Sequence, residues 1–147
     1  MKHLSKISIA ILFVAVSLSA QTTYTLDPAH AYVDFSVKHM MFNDVRGKFS
    51  VDSGKVVAAK EDFSDAQIDV WIKTASVNTS NEKRDAHLKS GDFFDAEKNP
   101  SIIFKSSSMK KIGADTYTIA GNLTMRGVTK PVTLDAKLKG KAKSPWG

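Results

Sequence analysis

The 147-residue sequence contains no cysteine. This absence excludes a disulfide framework, a zinc site built on thiolates, an iron–sulfur cluster and a cysteine nucleophile. Hydrophobic residues make up 42% of the chain, which is too many for a disordered polypeptide. A length near 150 residues is typical of one domain, so we expect a single hydrophobic core stabilised by packing alone.

The sequence also lacks an apolar run long enough to span a bilayer. The longest run covers residues 7–18, whereas a spanning helix needs about 20 apolar residues. Lys2 and Lys6 precede this run, and the small residues Ser19 and Ala20 follow it, as in a secretory signal peptide. We therefore predict a signal peptide over residues 1–20, cleavage near Ala20, a periplasmic or secreted mature domain over 21–147, and no stable membrane anchor.

An excess of positive charge is present, but it is confined to the two ends of the chain. Lys and Arg number 21 against 15 Asp and Glu, which gives a formal net charge of +6. Lys2 and Lys6 belong to the predicted leader, and five lysines against the single acid Asp135 lie from Lys130 onward. The body between is neutral. Because a nucleic-acid partner requires a concentrated basic face, we expect none.

Apolar residues recur with period two along most of the chain, which predicts half-buried β-strands. The longest alternating segments are 31–37, 45–51, 66–72, 117–125 and 132–138, and shorter apolar pieces lie at 24–26, 55–58 and 102–105. Turn residues occur at Ser53 and Gly54, at 113–115, and at Arg126 and Gly127. About eight antiparallel strands are expected, arranged as a meander, a sandwich or a barrel.

One segment departs from this pattern and predicts a short helix over residues 80–89. Thr79 and Glu82 have the spacing of a capping box, and Gly91 can terminate the helix. Its apolar content is limited to Ala86 and Leu88, so the helix should cover another part of the fold rather than form a core layer.

No pattern in the sequence indicates catalysis or a metal site. His30 and His39 flank one predicted strand, about 30 Å apart if it is straight, so they cannot share a metal. Neither a nucleophile-elbow motif nor a phosphate-binding glycine loop is present. The polar residues Arg46, Arg84 and His87 allow two interpretations: a cationic rim that holds an anionic or polar head group, or ordinary caps and surface ion pairs.

The apolar phase of the predicted strands is the more informative feature. If about eight strands curl into a closed sheet, they either fill the interior with their own side chains or enclose one small ligand. Both outcomes remain open at this point. An exported protein with an apolar cavity would be suited to carry a lipid-like molecule through water.

Several motifs, in order, resemble those of the bacterial YceI-like family. They are DPAH at 27–30, FSVKH at 35–39, VRGKF at 45–49, NEKRDAHL at 81–88, FFD at 93–95 and GNLTMRGVTKPV at 121–132. The resemblance runs from Tyr24 to Gly147. It implies an all-β, antiparallel, lipocalin-like barrel with one short inserted helix, whose long apolar cavity holds a polyisoprenoid or an isoprenoid quinone. No cofactor, metal or catalytic residue is implied.

Carried over by position, the resemblance and the alternation together predict which side chains face the ligand. These are Val33, Phe35, Val37, Phe49, Ile68, Val70, Ile72, Leu88, Phe93, Phe94, Phe104, Ile119 and Leu123, with Arg46, Arg84 and His87 as the hypothetical head-group contacts. The predicted function is an exported carrier for a long apolar isoprenoid. Two alternatives remain: an enzyme acting on such a lipid, and a stress-protective or adhesion module with a filled core.

The sequence departs from the family pattern at its end. Family members usually continue for some tens of residues beyond the equivalent of Ser144 to Gly147, with strands that complete the sheet. An unclosed barrel leaves exposed strand edges and an open apolar face. We therefore expect the chain to be a fragment, or its missing strands to be supplied by a partner, a homodimer being one arrangement.

Overall fold

The computed structural model describes residues 20–41 and 43–142. Residues 1–19 of the predicted signal peptide and residues 143–147, which include the final Ser-Pro-Trp-Gly, lie outside the described residues. Seven strands and one α-helix follow in order: β1 (Thr22–Thr25), β2 (Tyr32–His39), β3 (Asn43–Ala58), β4 (Gln67–Lys73), α1 (Glu82–Lys89), β5 (Ser101–Lys111), β6 (Thr116–Met125) and β7 (Val128–Lys137). Short 3₁₀ turns occur at Pro28–His30 and Thr74–Ser76.

All strands belong to one antiparallel sheet in which β3 to β7 pair in chain order. β1 pairs with the C-terminal part of β3, and β2 pairs with its N-terminal part. Among the described residues, β7 pairs only with β6, so the sheet is not closed. The all-β antiparallel class with one helix is confirmed.

The strand count was overestimated at β3. The prediction placed a turn at Ser53 and Gly54, but β3 continues through them with a local irregularity between Val51 and Ser53. A Cβ atom on Gly54 would lie 3.2 Å from both the Asp69 carbonyl oxygen and the Leu26 side chain. The glycine therefore permits a close approach of neighbouring chain, and the piece at 55–58 is the end of β3 rather than a separate strand.

The predicted helix is confirmed, but its N-cap is Asn81 rather than Thr79. The Asn81 side chain accepts a hydrogen bond of 3.0 Å from the Arg84 backbone N–H. Thr79 is buried two residues earlier and has a different role, described below. The capping-box spacing thus indicated the correct region, while the local hydrogen bonds selected a different cap.

The core lies on one face of the sheet and follows the predicted inward phase. Its buried cluster draws on β3, β4, β5 and the segment before α1, with Phe49, Val51, Ile72, Val77 and Ile102. Strand pairing places residues of this phase opposite one another, as with Val33 and Phe49, or Ile72 and Ile102. Cross-strand pairs of this kind are the basic unit of sheet stabilisation.

Candidate functional site

The segment between β4 and α1 is fastened to the edge of β3. Lys48 and Asn78 exchange two backbone hydrogen bonds of 2.9 and 3.0 Å. Two residues further along β3, the Ser50 N–H donates to the Ser76 hydroxyl at 2.8 Å. These bonds place the start of α1 beside β3.

The segment after α1 connects the helix to both sides of the sheet. The Phe94 ring meets Phe49 of β3 edge-on, with 5.3 Å between centroids. Arg126, in the turn between β6 and β7, donates from its guanidinium to the Gly91 carbonyl oxygen at 2.6 Å. α1 and the residues that follow it therefore bridge from β3 to the β6–β7 turn and cover one end of the sheet's apolar face.

A large apolar cavity lies beneath α1 on the side of β2, and we call it the β2-side cavity. Its volume is about 620 Å³, within the range typical of small-molecule sites. Its wall is mainly apolar but includes four basic or imidazole side chains. It consists of Phe35, Val37, Lys38, His39, Val45, Phe49, Arg84, His87, Leu88, Phe93, Phe94 and Met125.

A second cavity, the β7-side cavity, lies on the other side of the same aromatic pair. Its volume is about 550 Å³, and it is lined by Asp92, Phe93, Phe94, Leu123, Met125, Arg126, Val128, Lys130 and Val132. Phe93, Phe94 and Met125 line both cavities. The two spaces are therefore neighbours at the α1 end, divided by the residues that follow the helix.

A third apolar cavity, the far cavity, lies at the opposite end of the sheet. Its volume is about 290 Å³, and it is lined by Tyr24, Val56, Phe63, Ala66, Ile68, Met109, Tyr117, Ile119, Ala136, Lys137 and Leu138. Residues of β1 and β7 share this wall, so the sheet curls although it does not close. The Tyr117 hydroxyl donates to the Asp62 carbonyl oxygen at 2.6 Å, which satisfies this buried polar group.

The predicted ligand-facing residues fall into three groups. Seven line the cavities at the α1 end, namely Phe35, Val37, Phe49, Leu88, Phe93, Phe94 and Leu123. Ile68 and Ile119 line the far cavity instead. The layer between the two ends contains Val70, Ile72 and Phe104, which line none of these cavities. Val33, on β2, is 37% exposed. Their contact with a ligand remains a prediction.

Of the three hypothetical head-group residues, the structure brings two together. Arg84 and His87 line the β2-side cavity. Arg46 faces Ser36 on the polar phase of the β2–β3 hairpin and lines a separate depression of about 400 Å³. Lys38 and His39, which were not among the predicted head-group residues, line the same cavity as Arg84 and His87. A head-group role for these side chains remains a prediction.

Arg84 is also part of a hydrogen-bond network around the buried Thr79. Its Nε donates to the Thr79 hydroxyl at 2.7 Å, and its Nη2 donates to the Thr79 carbonyl oxygen at 2.8 Å. The Asp85 carboxylate accepts from the Thr79 N–H at 2.9 Å and from the hydroxyl at 2.5 Å. The network ties α1 to the segment that runs along β3.

His87 lies at the mouth of the β2-side cavity and is more accessible than Arg84. Its Nε2 lies 3.1 Å from the Asp92 carboxylate, and 59% of its side chain is exposed. The imidazole meets the Phe93 ring edge-on at a centroid distance of 4.9 Å. This packing fixes the ring at the cavity mouth, where it can donate to a polar group of a ligand or to solvent.

Electrostatic perturbation occurs away from the α1 end. Hydrogen bonds from the His30 side chain and the Ala29 N–H lower the pKa of Asp27 beside β1. Hydrogen bonds from Ser64, together with the charge of Lys111, lower the pKa of Asp62 next to the far cavity. Within residues 20–41 and 43–142, no cluster of three or more His, Asp or Glu side chains could hold a metal ion.

The far cavity is the feature that sequence analysis missed. Tyr24 and Phe63 close it with rings 5.3 Å apart, and Met109 and Tyr117 extend its wall. Tyr117 was already part of an alternating strand, but Phe63 lies in a loop without periodicity, so only tertiary contact identifies it.

Among the residues that the structure describes, no helix is long and apolar enough to cross a membrane.

Comparison with known proteins gives consistent results. Residues 24–145 match the model of the YceI-like domain. A UPF0312 protein of Serratia proteamaculans is 39% identical over 137 residues, covering 93% of this chain and 71% of its own length. One from Pectobacterium atrosepticum is 40% identical over 131 residues, covering 89% and 68%. Neither name states an enzymatic activity.

Solved structures with a lipocalin-like barrel fold are similar to this chain. The crystal structure of the YceI protein of Campylobacter jejuni has 40% sequence identity and a TM-score of 0.61, covering 84% of this chain and 72% of its own. That of Burkholderia cenocepacia BcnA, at 23% identity, shares the fold with a TM-score of 0.68, covering 79% and 72%. The ordered motifs, the antiparallel sheet with its single helix and these matches agree, and the chain belongs to the YceI-like family.

Proposed function

We propose that the protein is an exported carrier that holds a long apolar isoprenoid, a polyisoprenoid or an isoprenoid quinone, at the α1 end of the sheet. The observation that carries this proposal is the β2-side cavity of about 620 Å³ with its largely apolar wall. Burying a hydrocarbon chain there gains about 25 cal/mol for each Å² removed from water. The β7-side cavity extends the same apolar surface beyond Phe93 and Phe94.

The polar side chains at this end suit a ligand with a polar head and an apolar tail. The wall of the β2-side cavity includes the polar side chains of Lys38, His39, Arg84 and His87, whereas aromatic residues contribute to its apolar part. Arg84 already donates twice to Thr79, so His87 is better placed to meet a head group. In this proposal the cavity selects the tail by its hydrophobicity and shape, and the head group sets the orientation of the ligand.

Mass spectrometry tests the proposal directly. The gene is expressed with its leader sequence, and the exported protein is purified without detergent and extracted with solvent. We expect a stoichiometric isoprenoid in the extract, or tight binding of an isoprenoid alcohol added to the emptied protein. Absence of both results contradicts the carrier function. Recovery in the periplasm or medium, with a new N-terminus near residue 20, tests the proposed export in the same preparation.

The pairing of His87 with Asp92 also favours a second candidate, an enzyme that acts on such a lipid. A histidine oriented by a carboxylate is a common general base. The variant His87→Ala separates the two functions. A carrier should lose less than about fivefold in affinity, because exposed ion pairs contribute about 1 kcal/mol at most. An enzyme should still bind the lipid but lose turnover.

A further inference from the structure

The apolar interior is divided into two ends by a packed layer across the middle of the sheet. On β6, Ile119 lines the far cavity and Leu123 lines the β7-side cavity, with Gly121 between them. On β3, Val56 lines the far cavity and Phe49 lines the β2-side cavity. The side chains between these positions line none of the three cavities.

Phe104 is the largest side chain of this layer, and its ring lies over Gly121. A Cβ atom on Gly121 would come within 2.6 Å of the Phe104 Cζ and 2.7 Å of its Cε2. Phe104 is 6% exposed, and Val70 faces it across the β4–β5 pairing. The absence of a side chain at Gly121 is therefore what allows the ring to fill the space between β5 and β6.

We infer that Phe104, lying over Gly121, sets the length of the chain that the α1 end can accept. This inference rests on the proposed isoprenoid function and deepens it. A tail that enters beneath α1 meets the packed layer before it can reach the far cavity. Additional isoprene units must then remain in water, where they gain nothing from burial. The far cavity is consequently a separate space that the tail does not reach in the native protein.

Methionine methyl groups provide one reporter for each end of the interior. Met109 lines the far cavity, Met125 lines both cavities at the α1 end, and Met40 and Met41 are exposed on the β2–β3 hairpin. With methyl-labelled methionine, the full-length exported protein is titrated with farnesol and with the longer solanesol. We expect both alcohols to shift the Met125 resonance and leave that of Met109 unchanged.

The variant Phe104→Ala should join the two ends. Solanesol should then shift both Met109 and Met125, and its affinity should rise by about tenfold or more, because each additional buried methylene contributes about fourfold. Farnesol should bind as before. Phe104→Leu is the matched control, since a branched apolar side chain keeps the layer closed. Ala136→Phe in the Phe104→Ala background refills the far cavity and should cancel the gain for solanesol.

The outcomes distinguish this inference from the function on which it rests. If neither alcohol shifts Met125 in the wild type, the proposed isoprenoid function fails and the length limit fails with it. If solanesol shifts Met109 and Met125 together in the wild type, the protein binds isoprenoids but Phe104 does not limit their length. The wild-type titration is decisive even if the alanine variant does not fold.

Discussion

The ring of Phe35 lies across Gly47, the residue that faces it in the β2–β3 register. A Cβ atom on Gly47 would come within 2.7 Å of the Phe35 Cε1 and 2.8 Å of the Thr79 Cγ2. The Phe35 ring also packs on Phe49 at a centroid distance of 5.4 Å. A residue without a side chain is therefore what lets an aromatic wall of the β2-side cavity and the segment before α1 meet on β3.

This relationship predicts that Gly47→Ala destabilises the protein. The added methyl group overlaps two neighbours, and overpacking of this kind costs about 1–3 kcal/mol. Because the overlap involves Phe35, the cost in a Phe35→Ala background should be smaller, so that the two substitutions are not additive. Urea unfolding of the four proteins measures the coupling. Gly91→Ala is the control, since open space surrounds that Cβ. Full additivity would contradict the packing relationship.

Arg84 should contribute to stability through its two bonds to Thr79. Arg84→Lys retains the charge but loses the fork that reaches both the hydroxyl and the carbonyl oxygen. We expect unfolding free energy to fall by about 1–3 kcal/mol. Lys83→Ala, an exposed change on the same helix, should stay within about 0.5 kcal/mol of the wild type. If Arg84→Lys loses affinity for an isoprenoid without losing stability, Arg84 is instead a head-group contact.

The apolar wall beneath α1 should be needed for isoprenoid binding. Leu88→Asn places an amide of similar size in the β2-side cavity, and we expect about a tenfold loss of affinity because a polar group is then buried without a partner. Equilibrium binding of farnesol measures the change. The matched control is Ala86→Asn, on the exposed side of the same helix. Equal effects of the two variants would show that the ligand does not contact this wall.

Asp62 should make stability depend on pH next to the far cavity. Hydrogen bonds from Ser64, with a contribution from Lys111, lower its pKa below the ordinary value of 3.8. A carboxyl group with a lower pKa in the folded state stabilises the protein above the unfolded-state pKa. This contribution is lost as pH falls through the folded-state pKa.

Urea midpoints of the wild type and Asp62→Asn, measured from neutral pH down to below 3.8, isolate this contribution. The midpoint of the wild type should exceed that of the variant at neutral pH, and the difference should shrink on acidification. A difference that is constant with pH would mean that the carboxylate charge is not responsible.

The family, the strand phase and the place of the helix can be predicted from the amino-acid sequence alone. Alternation with period two is sufficient to assign the inward face, because successive side chains of a strand must point to opposite sides. Phe49, Ile72 and Ile119 are buried as that phase predicts. Helix formers at 82–89 also indicated α1, although the choice between Thr79 and Asn81 as its cap depended on hydrogen bonds that the spacing does not specify.

The way in which the inward residues divide the interior depends on the assembled sheet and could not be predicted from alternation. Alternation predicts the same inward orientation for Phe35, Phe104 and Ile119. In the structure, Phe35 lines a cavity at the α1 end, Phe104 fills the middle layer and Ile119 lines the far cavity. The rings of Phe35 and Phe104 each lie over an inward glycine, Gly47 and Gly121 respectively, so the glycines alone do not explain the difference. Whether a ring fills such a gap depends on register and on curvature, which are properties of the assembled sheet and not of any one strand.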